Sequence, residues 1–123
     1  MVYLDANIIL RYILCDDEKQ SEIARELIYA GNCIAANEVL AEVAYVLNKV
    51  YEINRKEIKV ALNECLKKLF VENKSVVQKA IALYAERKFD FVDCILASQA
   101  IVAGDDVRTF DKKLQNYINR MKS

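Results

Sequence analysis

A chain of 123 residues, 54% apolar and 29% charged, has the size and make-up of one folded domain around one core. Its 18 lysines and arginines balance 18 aspartates and glutamates, which argues against a broad, non-specific nucleic-acid coat but leaves room for an acidic pocket with a basic rim. With no histidine, imidazole acid–base cleavage and serine–histidine hydrolysis are closed to it, and with no proline and two glycines it has no linker and no low-complexity tract.

Val2-Tyr3-Leu4 reads as a short buried strand ending at Asp5, and Ala6 to Leu14 as a helix with Ile8, Ile9, Tyr12 and Ile13 apolar. Glu18 to Ala30 is a second helix, carrying Ile23, Leu27 and Ile28 at helical spacing and closed by Gly31. Cys33-Ile34-Ala35 follows as a strand, and Asn37 is placed to cap a helix running to about Val50. Asn54 and Glu57 form a capping-box pair for a helix through Leu69, and Val71 marks a very short third strand. Ser75 and Gln78 repeat the pattern for a helix to Arg87. Phe91 to Ala103 is a strongly apolar helix stopped by Gly104, Val107-Arg108-Thr109 another short strand, and Asp111 to Arg120 the last helix. Short apolar strands alternating with helices predict an α/β fold: a short central parallel sheet flanked by helices on both faces, in a single domain over residues 1–123.

The longest uncharged stretch, Cys94 to Gly104, is too short to cross a bilayer. The opening Met1-Val2-Tyr3-Leu4-Asp5 lacks the basic-then-apolar order of a signal peptide. Cys15, Cys33, Cys65 and Cys94 are irregularly spaced in apolar surroundings, as buried reduced thiols of a cytoplasmic protein would be, and no C-x-x-C pair suggests zinc.

Chemistry concentrates in Asp5, Glu42, Asp93 and Asp111, each of which interrupts or abuts an apolar segment. A buried carboxylate is costly unless it is hydrogen-bonded or meets a cation. Carboxylates with no imidazole beside them suit a hard, oxygen-liganded divalent ion. Ligands of open parallel sheets gather beyond the carboxyl ends of the strands, where Asp5 and Asp111 would lie. Each acid also has a plain structural reading. Asp5 can be a helix cap, although Asn7 is an equally good one. Glu42 falls about 90° from the centre of the apolar stripe of its helix, where glutamates are commonly solvated. Asp111 is adequate as an N-cap, and Asp93 could sit in the first turn of a helix capped by Asp90. Asp93 is nonetheless the only charged residue from Phe91 to Ala103, and it heads a ridge of small residues, Ala97, Ala100 and Gly104.

Four segments, in order, resemble the PIN-domain family and within it the small stand-alone VapC-type toxin ribonucleases. They are Leu4-Asp5-Ala6-Asn7-Ile8-Ile9-Leu10-Arg11-Tyr12, Ala41-Glu42-Val43-Ala44-Tyr45-Val46-Leu47, Phe91-Val92-Asp93-Cys94-Ile95-Leu96-Ala97, and the run from Val107 through Asp111 to Leu114. The resemblance implies a metal-dependent endoribonuclease whose acidic quartet is Asp5, Glu42, Asp93 and Asp111, with Asn7 as a supporting polar residue. Ala6 stands where many members carry a hydroxyl. Mg²⁺ or Mn²⁺ as cofactor, RNA as substrate, a homodimer and a small antitoxin as partner are likewise implied. Such hydrolysis needs no histidine, because carboxylate-held ions can activate water and stabilise the leaving oxygen. Arg87-Lys88 and Lys112-Lys113 are candidate rim positions, Lys67-Lys68 could frame a groove, and the helix from Asn54 to Leu69 offers apolar positions for self-association.

Three other readings compete. A receiver-like signalling module would want paired acids after the first strand and a lysine after a late one, whereas the chain has Asp5 alone and Thr109-Phe110-Asp111. A PIN-fold protein kept only for binding would have no need of all four acids. An RNA-processing or DNA-directed nuclease would use the same site.

Overall fold

In the computed structural model, which describes all of residues 1–123, strand β1 (Val2–Tyr3) forms where the chain first meets a pairing partner. Residues Met1–Glu72 make one unit and Asn73–Ser123 a second.

The first unit carries the whole sheet. After β1 come α1 (Ala6–Leu14), α2 (Glu18–Tyr29), β2 (Cys33–Ala35), α3 (Asn37–Tyr45), a π-helical turn over Val46–Val50, α4 (Arg55–Leu66) and β3 (Phe70–Val71). The strands are parallel in the order β1-β2-β3, with Tyr3 opposite Ile34 and Ile34 opposite Phe70. β2 has a neighbour on each side and buries Cys33 and Ala35, as a central strand should. β1 lies at the edge: Val2 and Tyr3 are 43% and 70% exposed, and only Leu4, just past the strand, is buried. The expected buried first strand is therefore confined to Leu4, whose N–H still donates to the Ile34 carbonyl at 3.1 Å.

Helix ends follow local chemistry, with some shifts from expectation. Asp17 caps α2 by accepting from the Gln20 N–H at 2.9 Å. Gly31 takes a φ of +84°, which lets the chain leave α2 through a left-handed residue. Asn37 is the first residue of α3 and not its cap; the cap position is Ala36, and the Asn37 N–H donates to Glu72 Oε1 at 3.3 Å. The helix does reach Val50, but its last five residues widen into the π turn. Asn54 caps α4 as expected, accepting from the Glu57 N–H at 2.9 Å, while its side-chain amide donates to Glu57 Oε1 at 3.2 Å. α4 stops at Leu66 and not Leu69, because the N–H groups of Lys67, Lys68 and Leu69 close on the Glu64 and Cys65 carbonyls as a turn. α1 packs on α2 and α3. Ile9, Ile28, Leu40, Leu47, Ile58 and Leu62 are fully buried, each side chain contributing roughly 1.5–3 kcal/mol of apolar burial.

The second unit is helical: α5 (Lys74–Glu86), α6 (Phe91–Ile101) and α7 (Lys112–Lys122). α6 packs against both α5 and α7, and Tyr84 of α5 meets Phe91 edge-on at 5.6 Å. The cap of α5 is Asn73, accepting from the Val76 N–H at 3.3 Å, so Ser75 lies inside the helix and not at its boundary. α6 ends at Ile101, two residues before the expected Ala103; beyond it Gly104 has a φ of +75° and the Asp105 N–H reaches back to the Gln99 carbonyl at 3.1 Å. Val107-Arg108-Thr109 is not a strand. Its backbone is engaged locally instead, with the Thr109 N–H donating to Gln115 Oε1 at 3.0 Å and the Arg108 side chain folded onto Asp106. β-branched residues supply a preference for extended backbone, but a strand also needs a ladder to join.

Candidate active site

In the first unit Asp5 stands at the N-cap of α1, its Oδ1 accepting from the Ile8 N–H at 3.1 Å. The sequence left Asp5 without a structural task because Asn7 could cap; the structure gives the cap to Asp5 and leaves Asn7 exposed in the first turn. Glu42 lies on α3, beside the buried Val43 and exposed itself, which agrees with its position at the border of the stripe. Asp5 and Glu42 are thus carried by helices that pack on one another. One turn further along α1, Arg11 pairs with Asp16 at 2.9 Å, and its guanidinium also donates to the Tyr51 hydroxyl at 3.4 Å. These contacts hold the guanidinium pKa above its ordinary value.

In the second unit Asp93 and Asp111 line one cleft of about 430 Å³, a size in the range of small-ligand sites. Asp90 caps α6 by accepting from the Asp93 N–H at 2.8 Å, and Asp111 caps α7 by accepting from the Leu114 N–H at 3.2 Å. Both structural readings of these positions are therefore correct. Asp93 is half-buried, and its pKa is pushed up first by loss of water, then by the like charges of Asp90 and Asp111. Cost of burial, the premise on which all four acids were singled out, applies to Asp93 alone, since Asp5, Glu42 and Asp111 are exposed.

The same cleft contains residues that sequence reasoning passed over. Tyr117 and Phe89 meet at 5.6 Å along one wall, and Arg120 and Asn116 join Lys113 on α7. Their spacing was a readable signal: Lys113, Asn116, Tyr117 and Arg120 fall at i, i+3, i+4 and i+7, one face of a helix. Of the basic pairs proposed as rim, Arg87-Lys88 and Lys113 do line the cleft. Lys67 and Lys68 are engaged elsewhere, Lys67 with Glu64 at 3.0 Å and Lys68 over the Tyr29 ring at 4.8 Å. The cysteines divide as well: Cys33, Cys65 and Cys94 are buried, but Cys15 is exposed at the left-handed end of α1, with a φ of 53°.

Within neither unit do three or more carboxylates or thiols gather as a metal-holding group. The donor chemistry of the second unit nevertheless fits a hard divalent ion. Asp93 and Asp111 are oxygen donors lining one cleft, and burial with the like charges of Asp90 and Asp111 pushes the Asp93 pKa up.

Comparison with known proteins covers both units. A VapC ribonuclease of Aquifex aeolicus (strain VF5) is 30% identical over 122 residues, spanning 94% of this chain and 90% of that protein. No solved structure matches the chain. No helix is long and apolar enough to cross a membrane. The profile of the PIN domain matches residues 2–119, from the first strand to the last helix and through all four acidic segments, and the chain belongs to the PIN-domain family.

Proposed function

We propose that this protein is a divalent-metal-dependent endoribonuclease, the toxin of a toxin–antitoxin pair, acting through Asp5, Glu42, Asp93 and Asp111. The observation that carries this reading is the pair Asp93 and Asp111 in one cleft, where the like charge of Asp111 helps push the Asp93 pKa up, in a chain matched by the PIN domain along nearly its whole length. The similar Aquifex protein, a VapC ribonuclease, supports RNA as substrate, and a small antitoxin as partner is what the family resemblance implies. The span of the match across both units supports reading residues 1–123 as a single catalytic domain.

In this reading Asp93 and Asp111 hold Mg²⁺ or Mn²⁺, with Asp5 and Glu42 completing the ligand set and Asn7 in support. A bound divalent ion supplies Lewis acidity for phosphodiester hydrolysis. The residues of the chain orient and concentrate the charge: Asp93 is set in the first turn of α6 by the Asp90 cap, and Asp111 is fixed at the head of α7. Self-association through α4, where Val60 is 63% exposed, would give the homodimer, and a basic antitoxin side chain could occupy the carboxylates by charge complementarity. A cytoplasmic location accords with its three buried free thiols.

Incubation of the protein with single-stranded RNA is the test. Cleavage should require Mg²⁺ or Mn²⁺, stop with chelator, and leave 5′-phosphate and 3′-hydroxyl ends, and Asp93→Asn should abolish it. Ends carrying 2′,3′-cyclic phosphate would contradict water as the nucleophile. Comparable cutting of matched single-stranded DNA would replace the toxin reading with that of a general nuclease.

A further inference from the structure

The acidic cleft of the second unit is, on balance, a basic one. Beside Asp93 and Asp111 it is lined by four cations, Arg87, Lys88, Lys113 and Arg120, in a chain whose charges sum to zero. Lys88, Lys113 and Arg120 take no part in the ion pairs Arg11–Asp16, Lys67–Glu64 and Arg108–Asp106. The two arginines are gathered on one support, with Arg87 4.9 Å and Arg120 5.8 Å from the ring centroid of buried Tyr117. Stacking on an aromatic face orients a guanidinium. Lys113 adds an independent sign. It stands in the first turn of α7, together with Lys112, where the helix dipole disfavours a cation and where the helix has no acidic residue beyond its cap. A cation placed against the dipole, unpaired, and facing a cleft with two guanidiniums is arranged for an anion that the chain does not provide.

We infer that Lys113 and Arg120, with Lys88 and the Tyr117-supported Arg87, bind the RNA phosphate adjacent to the one presented at Asp93 and Asp111. The inference rests on the nuclease reading for its choice of ligand. Tyr117 acts as a positioning residue, since its buried ring is covered by guanidinium and cannot stack a base. The cations also offset the repulsion that Asp93 and Asp111 would exert on an incoming polyanion.

Binding without chemistry tests this directly. Fluorescence anisotropy of a short labelled single-stranded RNA, in chelator, gives Kd and its salt dependence for the full chain. The exposed pair Lys113→Gln/Arg120→Gln should raise Kd about tenfold and make the slope of log K against log salt shallower by about 1.4, since each phosphate contact on a single strand contributes about 0.7. Lys19→Gln/Lys49→Gln, which removes two exposed cations of the first unit, should leave Kd within about twofold. Wild-type affinity and slope in the first variant, or an equal loss in the second, overturns the site. Cleavage in Mg²⁺ is scored separately. A chain that binds RNA through this cleft but never cuts it sinks the nuclease reading and keeps the phosphate site. A chain that cuts RNA while Lys113→Gln/Arg120→Gln binds it like wild type does the reverse.

Discussion

Substituting Asp111 two ways separates its helix-capping task from its proposed ligand role. The Oδ1 atom of Asp111 accepts from the Leu114 N–H at 3.2 Å, and α7 anchors the buried Leu114, Tyr117 and Ile118 behind that cap. Asparagine is as good an N-cap as aspartate, so Asp111→Asn keeps the cap and loses the charge, whereas Asp111→Ala loses both. Both variants relieve Asp93 of the same like charge. The stability difference between them therefore isolates the cap, at about 1 kcal/mol within a range of roughly 0.5–2. With a urea slope of about 1–3 kcal/mol per molar, that lowers the midpoint of the alanine variant by roughly 0.3–1 M relative to the asparagine variant. RNA cleavage should fall in both, on the order of 100-fold or more, because a neutral amide cannot replace a carboxylate toward a divalent ion. Chemical denaturation and a cleavage assay on the three proteins supply the numbers. If Asp111→Asn cuts RNA like wild type while only the alanine variant fails, Asp111 is a cap and nothing more, and its place among the ligands is wrong.

Other consequences follow from the same contacts. Asp93→Asn should raise stability in the absence of metal. Burial and the neighbouring acids lift the pKa of Asp93, so its contribution is fully present below the ordinary carboxylate range and is lost as pH rises through the folded value. Urea melts should therefore show the advantage of Asp93→Asn at pH 7 and its shrinkage toward pH 4; a clear loss at pH 7 would mean that the carboxylate itself holds α6 in place. A thiol reagent should titrate one cysteine quickly in the native protein, Cys15, and all four only after unfolding. Fast labelling of Cys33 or Cys94 would contradict their burial. Burial pushes the Cys65 thiol from 9.0 up to about 12, so the native state keeps a proton that the unfolded chain releases. Stability should decline above pH 9 relative to Cys65→Ala, by up to about 1.4 kcal/mol per pH unit, in denaturant melts between pH 8 and 10.5. A gap between the two proteins that stays constant over that range would refute the shift.

The parts of the fold legible in the sequence are those written in local chemistry. α1, α2 and β2 begin where apolar period and cap residues put them, and β3 is found at Val71 although it has only two residues. Where two residues compete for one task, the sequence does not decide. Asn7 and Asp5 are equal candidates to cap α1, and the structure gives the task to Asp5, whose backbone is extended; at α3 it is Ala36, also extended, and not the expected Asn37 that takes the cap position. Val107-Arg108-Thr109 fails for a different reason: strand preference is intrinsic, but strand pairing is tertiary. At the site, the signal from Asp93 was physical, a charge amid apolar residues, and it is the one acid whose pKa the structure shifts upward for want of water. The signal from Asp5, Glu42 and Asp111 was one of pattern, carried by the PIN-domain segments, because exposed acids at caps and stripe borders are common on any helix. The basic cleft was only half legible. Arg87-Lys88 and Lys112-Lys113 were visible as pairs, but the role of Arg120 and Tyr117 depends on the turn of α7 that brings them beside Lys113.

Capping and metal binding were weighed as rivals at Asp5 and Asp111, yet the hydrogen bonds make them compatible. Each carboxylate spends one oxygen, Oδ1, on a backbone N–H at the head of its helix, and the second oxygen takes no donor from the chain. A cap bond fixes the side-chain rotamer, so the free oxygen already has a direction before any ion arrives. A carboxylate held by a cap is thus oriented and half unused. Those are the properties a ligand to a hard ion needs, since ordering a flexible side chain on binding costs about 0.5–1.5 kcal/mol that a cap has already met through folding. Asp93 differs: it accepts no backbone bond of this kind, and it is its neighbour Asp90 that caps α6 and receives the Asp93 N–H. Its orientation comes from the first turn of α6 and its charge is opposed by burial and by Asp90 and Asp111. Of the acids proposed to bind the ion, Asp93 accordingly has the most to gain from a cation, and Asp5 and Asp111 the least to rearrange.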